Sequence, residues 1–286
     1  MLTNSEWKDY EIIATGDGEK LERWGEYVLL RPDPQVIWRA QSEISSYKGI
    51  SAKYIRSSDG GGRWEYYRQV PDNFTIGWRD LKFSLKLMGF KHTGLFPEQA
   101  VNWARMIDLI KGAGRKISVL NLFGYTGAAS VACASAGADV CHVDSAKAMV
   151  DRCKENMRLS GLDGVRYIVD DCFKFCEREL RRGNKYDAII MDPPSFGRGP
   201  KGEKWKLEDN VYDFIKLTSE LLSDKPLFML INSYTTGLQP TVMGNILELT
   251  TKDRPGTTQA DEIGLLTNEG ITLPCGCSAI KVFQWK

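Results

Sequence analysis

Val119-Leu-Asn-Leu-Phe-Gly-Tyr-Thr-Gly-Ala-Ala-Ser130 runs from an apolar strand through a Gly124-x-x-Gly127 turn into a helix of small residues, and Asp144 closes the next strand. A turn of this kind cradles a nucleotide-like ligand. Gly124 allows a sharp bend, Gly127 lets backbone approach the ligand, and a carboxylate about 20 residues further on can accept both hydroxyls of a ribose. Two spaced glycines are a weak signal. It strengthens because three more strand ends follow in order: Asp170-Asp171, Asp192-Pro-Pro-Ser-Phe196 and Asn232-Ser-Tyr234.

The chain has 286 residues, 42% of them hydrophobic, enough for a full α/β core and a smaller second domain. Its net charge of +1 gives no global attraction to nucleic acid or to an anionic membrane, so any polyanion site must be local. Met1-Leu-Thr-Asn-Ser-Glu-Trp-Lys8 lacks the apolar core of a secretory signal, and no run approaches the length of a membrane span. A soluble, cytoplasmic protein without a membrane partner is the expectation. Seven scattered cysteines argue for reduced thiols. Cys275-x-Cys277 and Cys172-x3-Cys176 lack the paired spacing of a zinc site, and with two histidines in the chain no metal is expected.

Residues 1–85 read as a small β-rich domain. Tyr27-Val-Leu-Leu30 and Trp64-Glu-Tyr-Tyr67 are strand-like, and Arg31-Pro-Asp-Pro34 and Ser58-Asp-Gly-Gly-Gly62 are turns. Residues 1–30 carry 3 basic and 7 acidic side chains, whereas residues 31–91 carry 11 basic and 6 acidic, a modest basic surface. Residues 86–286 read as the larger domain. A helix starts near Pro97 and stops at Gly112. Strands at Ile117–Leu122, Asp139–Asp144, Val165–Asp170, Ala188–Met191 and Leu227–Ile231 then alternate with helices at Thr126–Ala136, Ala146–Leu159, Phe173–Arg182 and Glu208–Ser223. Ser145 is placed to cap the second of these helices. Glu262–Thr267 and Ser278–Trp285 read as a terminal hairpin. The pattern predicts an α/β fold, a Rossmann-like sheet of parallel strands covered on both faces, extended by that hairpin.

In an open parallel sheet the ligand lies over the carboxyl ends of the strands. Asp144 is placed there for a ribose and Asp171 for an adenine amino group; helix capping is the alternative for each. The turn separates two cofactors. A dinucleotide usually binds its pyrophosphate through G-x-G-x-x-G, whereas here Thr126 takes the place of the second glycine. S-adenosylmethionine carries no phosphate and suits the reduced turn better. Asp192, Pro193 and Pro194 form a rigid segment presenting carbonyl and carboxylate acceptors, suited to a planar base with N–H groups. Phe196 adds a stacking face, worth about 1–3 kcal/mol per base. A tight strand-to-loop turn with a core Phe is the plainer alternative.

Together these residues resemble class I S-adenosylmethionine-dependent methyltransferases, which have a seven-stranded sheet. The resemblance is closest to the bacterial ribosomal RNA large-subunit methyltransferases that include the cytosine-C5 and guanine-N7 enzymes. It runs from about Tyr10 to the C-terminus and includes Lys91-His-Thr-Gly-Leu-Phe-Pro-Glu-Gln99, Asn121-Leu-Phe-Gly-Tyr-Thr-Gly127, Asp144-Ser145, Asp170-Asp-Cys172 and Asp192-Pro-Pro-Ser-Phe196. The resemblance implies a cofactor site at Thr93, Gln99, Phe123, Gly124, Tyr125, Thr126, Gly127, Asp144, Ser145, Asp171, Cys172 and Asp192. Asp192, Pro193 and Pro194 form the catalytic segment, with ribosomal RNA as the partner of a monomer or homodimer.

The chain departs from the family's cytosine-C5 members in two ways. Those members often begin with a separate RNA-binding domain, and on this reading the N-terminal stretch is expected to be too short to hold one. Where they place a nucleophilic Cys after the fifth strand, this chain has Asn232-Ser-Tyr-Thr-Thr-Gly237. C5 of a pyrimidine is a poor nucleophile until a thiolate adds to C6, so the second departure points to methylation at nitrogen. Cys172, opening a helix, is a candidate for a lowered thiol pKa. Contact with RNA is expected from the basic part of the first domain and from Phe196-Gly-Arg-Gly-Pro-Lys-Gly-Glu-Lys-Trp-Lys206. In that loop Arg198, Lys201, Lys204 and Lys206 surround Trp205, and Phe196, Arg198 and Trp205 are the substrate-binding candidates. The competing readings are a solvated loop, a methyltransferase of small molecules or proteins, and a non-catalytic RNA-binding relative.

Overall fold

The computed structural model describes residues 1–57, 61–89, 91–198 and 204–284. Residues 58–60 of the glycine-rich turn, residues 199–203 with Lys201, and Trp285 lie outside them. The chain forms two compact units: Leu2–Val101 with Gly264–Cys275, and Asn102–Ile263 with Gly276–Lys286 and Met1. Residues 86–101, grouped by sequence with the parallel sheet, cluster with the first unit.

In the first unit β1 (Tyr10–Gly16), β2 (Glu19–Trp24), β3 (Tyr27–Pro32), β4 (Ile50–Arg56) and β5 (Gly62–Tyr66) form one sheet in that order. All its pairings are antiparallel except β3 with β4. The hairpin β6 (Phe74–Trp78) and β7 (Leu81–Leu85) stands apart from it. Alternation sends Ala14, Leu21, Val28 and Leu30 to a core shared with Ile44. The unit also buries charge. Glu22 accepts from Arg31 Nε at 2.6 Å, Arg31 Nη2 at 2.8 Å and the Tyr10 hydroxyl at 2.7 Å. Burial alone would raise the Glu22 pKa, but the Arg31 and Lys20 charges and these hydrogen bonds outweigh it and hold the carboxyl at about 2.

The second unit contains most of α1 (Ala100–Gly112) and the parallel sheet. Its succession is β8 (Ser118–Leu122), α2 (Ala128–Ser135), β9 (Asp139–Asp144), α3 (Lys147–Leu159), β10 (Val165–Val169), α4 (Cys172–Arg181) and β11 (Ala188–Met191). A small hairpin, β12 (Phe196–Arg198) and β13 (Lys204–Lys206), precedes α5 (Leu207–Ser219), β14 (Phe228–Ser233), α6 (Pro240–Thr250), β15 (Gly256–Leu266) and β16 (Thr272–Phe283). The sheet order is β10-β9-β8-β11-β14-β16-β15. The first five strands are parallel, and β16 returns antiparallel to β14. The seven-stranded α/β sheet is therefore present as expected. β11 and β14 are buried along their whole length because helices cover both faces.

Three elements differ from the sequence reading. α2 begins at Ala128 because Gly127, with φ 83°, cannot be a helical residue. α6 was not read at all. Its Gly244 sits where a Cβ would come within 3.1 Å of the Ala260 Cβ, so the residue that weakens the helical signal permits close packing on β15. The terminal strands are longer than their apolar cores, because strand pairing carries polar residues such as Thr257, Gln259 and Asp261.

Arg31→Met removes the main partner of a fully buried carboxylate and should cost about 3–5 kcal/mol at neutral pH. Because Glu22 is held near 2, below its usual 4.5, its contribution is complete above pH 4.5 and is lost as pH falls toward 2. In the variant that loss should move to higher pH. Thermal unfolding at several pH values tests this, and an unchanged midpoint at pH 7 would contradict it.

Candidate active site

The turn after β8 carries backbone strain. Phe123 (φ 55°) and Tyr125 (φ 51°) occupy the left-handed region, which costs a bulky residue about 1–3 kcal/mol. Surrounding groups hold it there. The Phe123 N–H donates to Cys172 Sγ (3.3 Å), Gly124 N–H to Val143 O (2.9 Å), Tyr125 N–H to Asp144 Oδ2 (2.8 Å) and Gly127 N–H to Gly124 O (2.9 Å). Asn156, fully buried on α3, donates to Thr126 O at 2.8 Å.

Both glycines have roles beyond those read from sequence. Gly124 is outside the left-handed region; a Cβ there would stand 2.3 Å from the His142 ring. A Cβ on Gly127 would stand 2.1 Å from Cys153 Sγ. The close approach in each case is of protein to protein. His142, in the middle of β9, has Nδ1 3.0 Å from Ser130 Oγ, which accepts from Asn121 Nδ2 at 2.8 Å. Burial pushes its pKa down to about 4, so the floor beneath the turn is uncharged at neutral pH.

The strand ends gather around this turn. Asp144 closes β9 and shares its carboxylate between the N–H groups of Tyr125 and Ala146, each at 2.8 Å. This bond organises the start of α3, so Ser145, which is exposed, does not cap the helix. After β10, Asp170 pairs with Arg178, while Asp171 caps α4 through the Lys174 N–H at 3.0 Å. Cys172 follows, 3% exposed. Contrary to the sequence expectation its thiol pKa is raised well above the usual value, first by burial and further by the nearby Cys176, Asp144 and Asp171.

Asp192 follows β11, half-buried, then buried Pro193 and exposed Pro194. The Pro194 carbonyl accepts the Trp205 indole N–H at 2.6 Å, so it is not an open acceptor. Trp205 turns its ring toward Phe123 and Phe214, with centroids 5.8 Å from each, and so offers less stacking surface than its loop position suggests. Phe196, 55% exposed, keeps an open face on β12, the strand that also carries Arg198. Near the end of β14, Asn232 is used internally: its Oδ1 accepts from Asn102 Nδ2 at 3.1 Å, and Asn102 Oδ1 accepts from Ser278 at 3.3 Å. Thr93 and Gln99 belong to the other unit, where both are buried.

Phe123, Gly124, Tyr125, Thr126, Gly127, Asp144, Asp171, Cys172 and Asp192 are thus set by adjoining strand ends of one sheet. Sequence reasoning missed His142 and Asn156. Both leave a trace as single polar residues in apolar patterns, His142 inside Val140–Val143 and Asn156 beside Cys153 and Met157. With the N–H groups of Phe123, Gly124, Tyr125 and Gly127 committed to protein acceptors, the turn is poor for pyrophosphate. The Asp144 carboxylate beside it suits a ribose-bearing cofactor without phosphate.

Gly124→Ala should cost about 1–3 kcal/mol by forcing a methyl against the His142 ring. In a His142→Ala background the methyl has room, and the two costs should be strongly non-additive. Denaturant unfolding of the four proteins measures this; simple additivity would mean that the collision is relieved elsewhere.

Known proteins give the same reading. Residues 53–256 match the S-adenosylmethionine-dependent methyltransferase family. The crystal structure of the S-adenosylmethionine-dependent methyltransferase from Agrobacterium tumefaciens superposes with a TM-score of 0.92 at 33% identity, covering 98% of this chain and 92% of that one. The ribosomal RNA large subunit methyltransferase K of Neisseria meningitidis is 29% identical over 65% of this chain and 54% of its own length. For methyltransferase K/L of Shewanella frigidimarina the figures are 36%, 50% and 20%. The chain therefore spans about half of the first of these relatives and a fifth of the second. With a matching family, a shared seven-stranded sheet and a turn suited to its cofactor, the chain belongs to the S-adenosylmethionine-dependent methyltransferases.

Proposed function

We propose that the chain transfers a methyl group to a ring or exocyclic nitrogen of a base in ribosomal RNA. The names of the Neisseria and Shewanella relatives support the RNA class. The state of the thiols supports nitrogen. Burial raises the pKa of every cysteine, with Cys141 pushed to about 11 and Cys153 to about 12, and none is activated as the nucleophile that carbon methylation requires.

Bound S-adenosylmethionine supplies an electrophilic methyl carbon on a sulfonium. Asp144 would take the ribose hydroxyls: two backbone N–H groups fix its carboxylate plane, and further lone pairs remain. Asp171 would take the adenine amino group on the same terms, with Cys172 beside it. Phe123, Gly124, Tyr125, Thr126 and Gly127 provide the wall. Asp192 and the Pro193 carbonyl would accept base N–H groups and hold the nitrogen lone pair in line with the methyl carbon. Where the accepting nitrogen carries a hydrogen, Asp192 or water would take its proton. Phe196 would stack on the base, while Arg198, Lys204 and Lys206 bring positive charge to the β12–β13 hairpin.

Mass spectrometry of ribosomal RNA nucleosides from cells with and without the protein should show one N-methylated base lost. A methylated metabolite or protein in its place would redirect the substrate class. Asp192→Ala should lower kcat by about tenfold or more while S-adenosylmethionine affinity changes by less than about threefold. Equal losses in both would confine Asp192 to the cofactor. RNA containing 5-fluorocytidine should give no covalent adduct on denaturing electrophoresis, and an adduct abolished by one Cys→Ser change would overturn the nitrogen assignment.

A further inference from the structure

We propose that Trp205 is a positioning residue that locks the segment after β11 to the turn after β8, fixing the separation of methyl acceptor and donor. This rests on the reading of Asp192-Pro193-Pro194 as the substrate-facing segment. Prolines 193 and 194 have no N–H, so the strand-end segment cannot be held through its own backbone donors at those positions. Its carbonyls are the remaining backbone handles, and the residues returning from the small hairpin take two in succession. Trp205 Nε1–H donates to Pro194 O at 2.6 Å, and Leu207 N–H donates to Ser195 O at 3.0 Å. The Ser195 side chain is tied in turn to Thr235 after β14, with hydroxyl oxygens 2.7 Å apart.

The same indole reaches the other half of the site. Its ring lies 5.8 Å from Phe123 and 5.8 Å from Phe214, and these two are 5.4 Å apart, so three aromatic rings form one cluster. Phe123 is the first residue of the strained turn, with φ 55°, and its N–H is held by Cys172. A tryptophan that served only to pack the hairpin would need contact with neither functional segment. Trp205 has a donor on one and a ring against the other, so a shift of the turn on cofactor binding is transmitted to the Pro194 carbonyl.

The test uses the full chain labelled with nitrogen-15. Trp205→Phe identifies the Trp205 indole N–H signal by its loss, and S-adenosylhomocysteine is then titrated into the wild-type protein. The signal should shift with the binding curve and exchange slowly with solvent. Trp205→Phe keeps a ring in the cluster and removes the donor. Its kcat for RNA should fall about tenfold to a hundredfold with KM for RNA, S-adenosylhomocysteine affinity and thermal midpoint near wild type. An indole signal unmoved at saturation, kcat within about twofold of wild type, or equal losses of affinity and kcat would each overturn the proposal. A shifting indole in a wild-type protein that transfers no methyl to RNA would leave the coupling standing and remove the RNA reading instead.

Discussion

The carboxylate of Asp144 accepts the Tyr125 N–H on one oxygen and the Ala146 N–H on the other, and the site's geometry depends on this pair of bonds. One bond fixes a turn that would otherwise relax, since Phe123 and Tyr125 stand in left-handed conformations. The other starts α3, the helix whose Asn156 holds Thr126 from the far side. Hydrogen bonds to a charged acceptor are worth about 1.5–3 kcal/mol each, comparable to the strain of a left-handed residue, so the exchange roughly balances. The turn is held open by its surroundings rather than by its own preference, which is the condition for a preformed binding wall.

Sheet order explains why the wall lies where it does. β8 has β9 on one side and β11 on the other, so the chain leaves its carboxyl end in opposite directions and a crevice opens between the turn and the segment after β11. The two margins are stiff for different reasons: hydrogen bonds to neighbouring strands hold the turn, and consecutive prolines restrict the other segment. Polar groups below them bond to one another, as in Asn121–Ser130–His142 and Asn102–Asn232–Ser278.

The parallel sheet was legible because continuous apolar strands such as Ala188–Met191 and amphipathic helices such as α3 leave few alternatives. The carboxylates at the strand ends were legible by position. The partners that fix the turn were not, because they come from residues distant in sequence: Gly124 is a glycine on account of His142, and Gly127 on account of Cys153. No local pattern announces such a collision. α6 is hidden in a similar way, its Gly244 packing closely on Ala260 of β15 rather than answering to its own helix. Cys172 shows the converse error. A helix N-terminus lowers a thiol pKa when water reaches it, but here burial prevails and the sulfur serves as an acceptor for the Phe123 N–H.

Helix capping and ligand binding, which compete as explanations of an isolated aspartate, are compatible at Asp144 and Asp171. An ionised carboxylate has about four lone-pair directions, and the described backbone bonds use two at Asp144 and one at Asp171. These bonds set the plane in which the remaining lone pairs lie. Asp170 differs, since its carboxylate is drawn aside by Arg178. Of two adjacent aspartates at the end of β10, one faces an ion pair on its own helix and the other stays at the helix start. Both residues therefore serve α4, Asp170 through its pair with Arg178 and Asp171 as the cap, and the described bonds leave Asp171 further lone pairs.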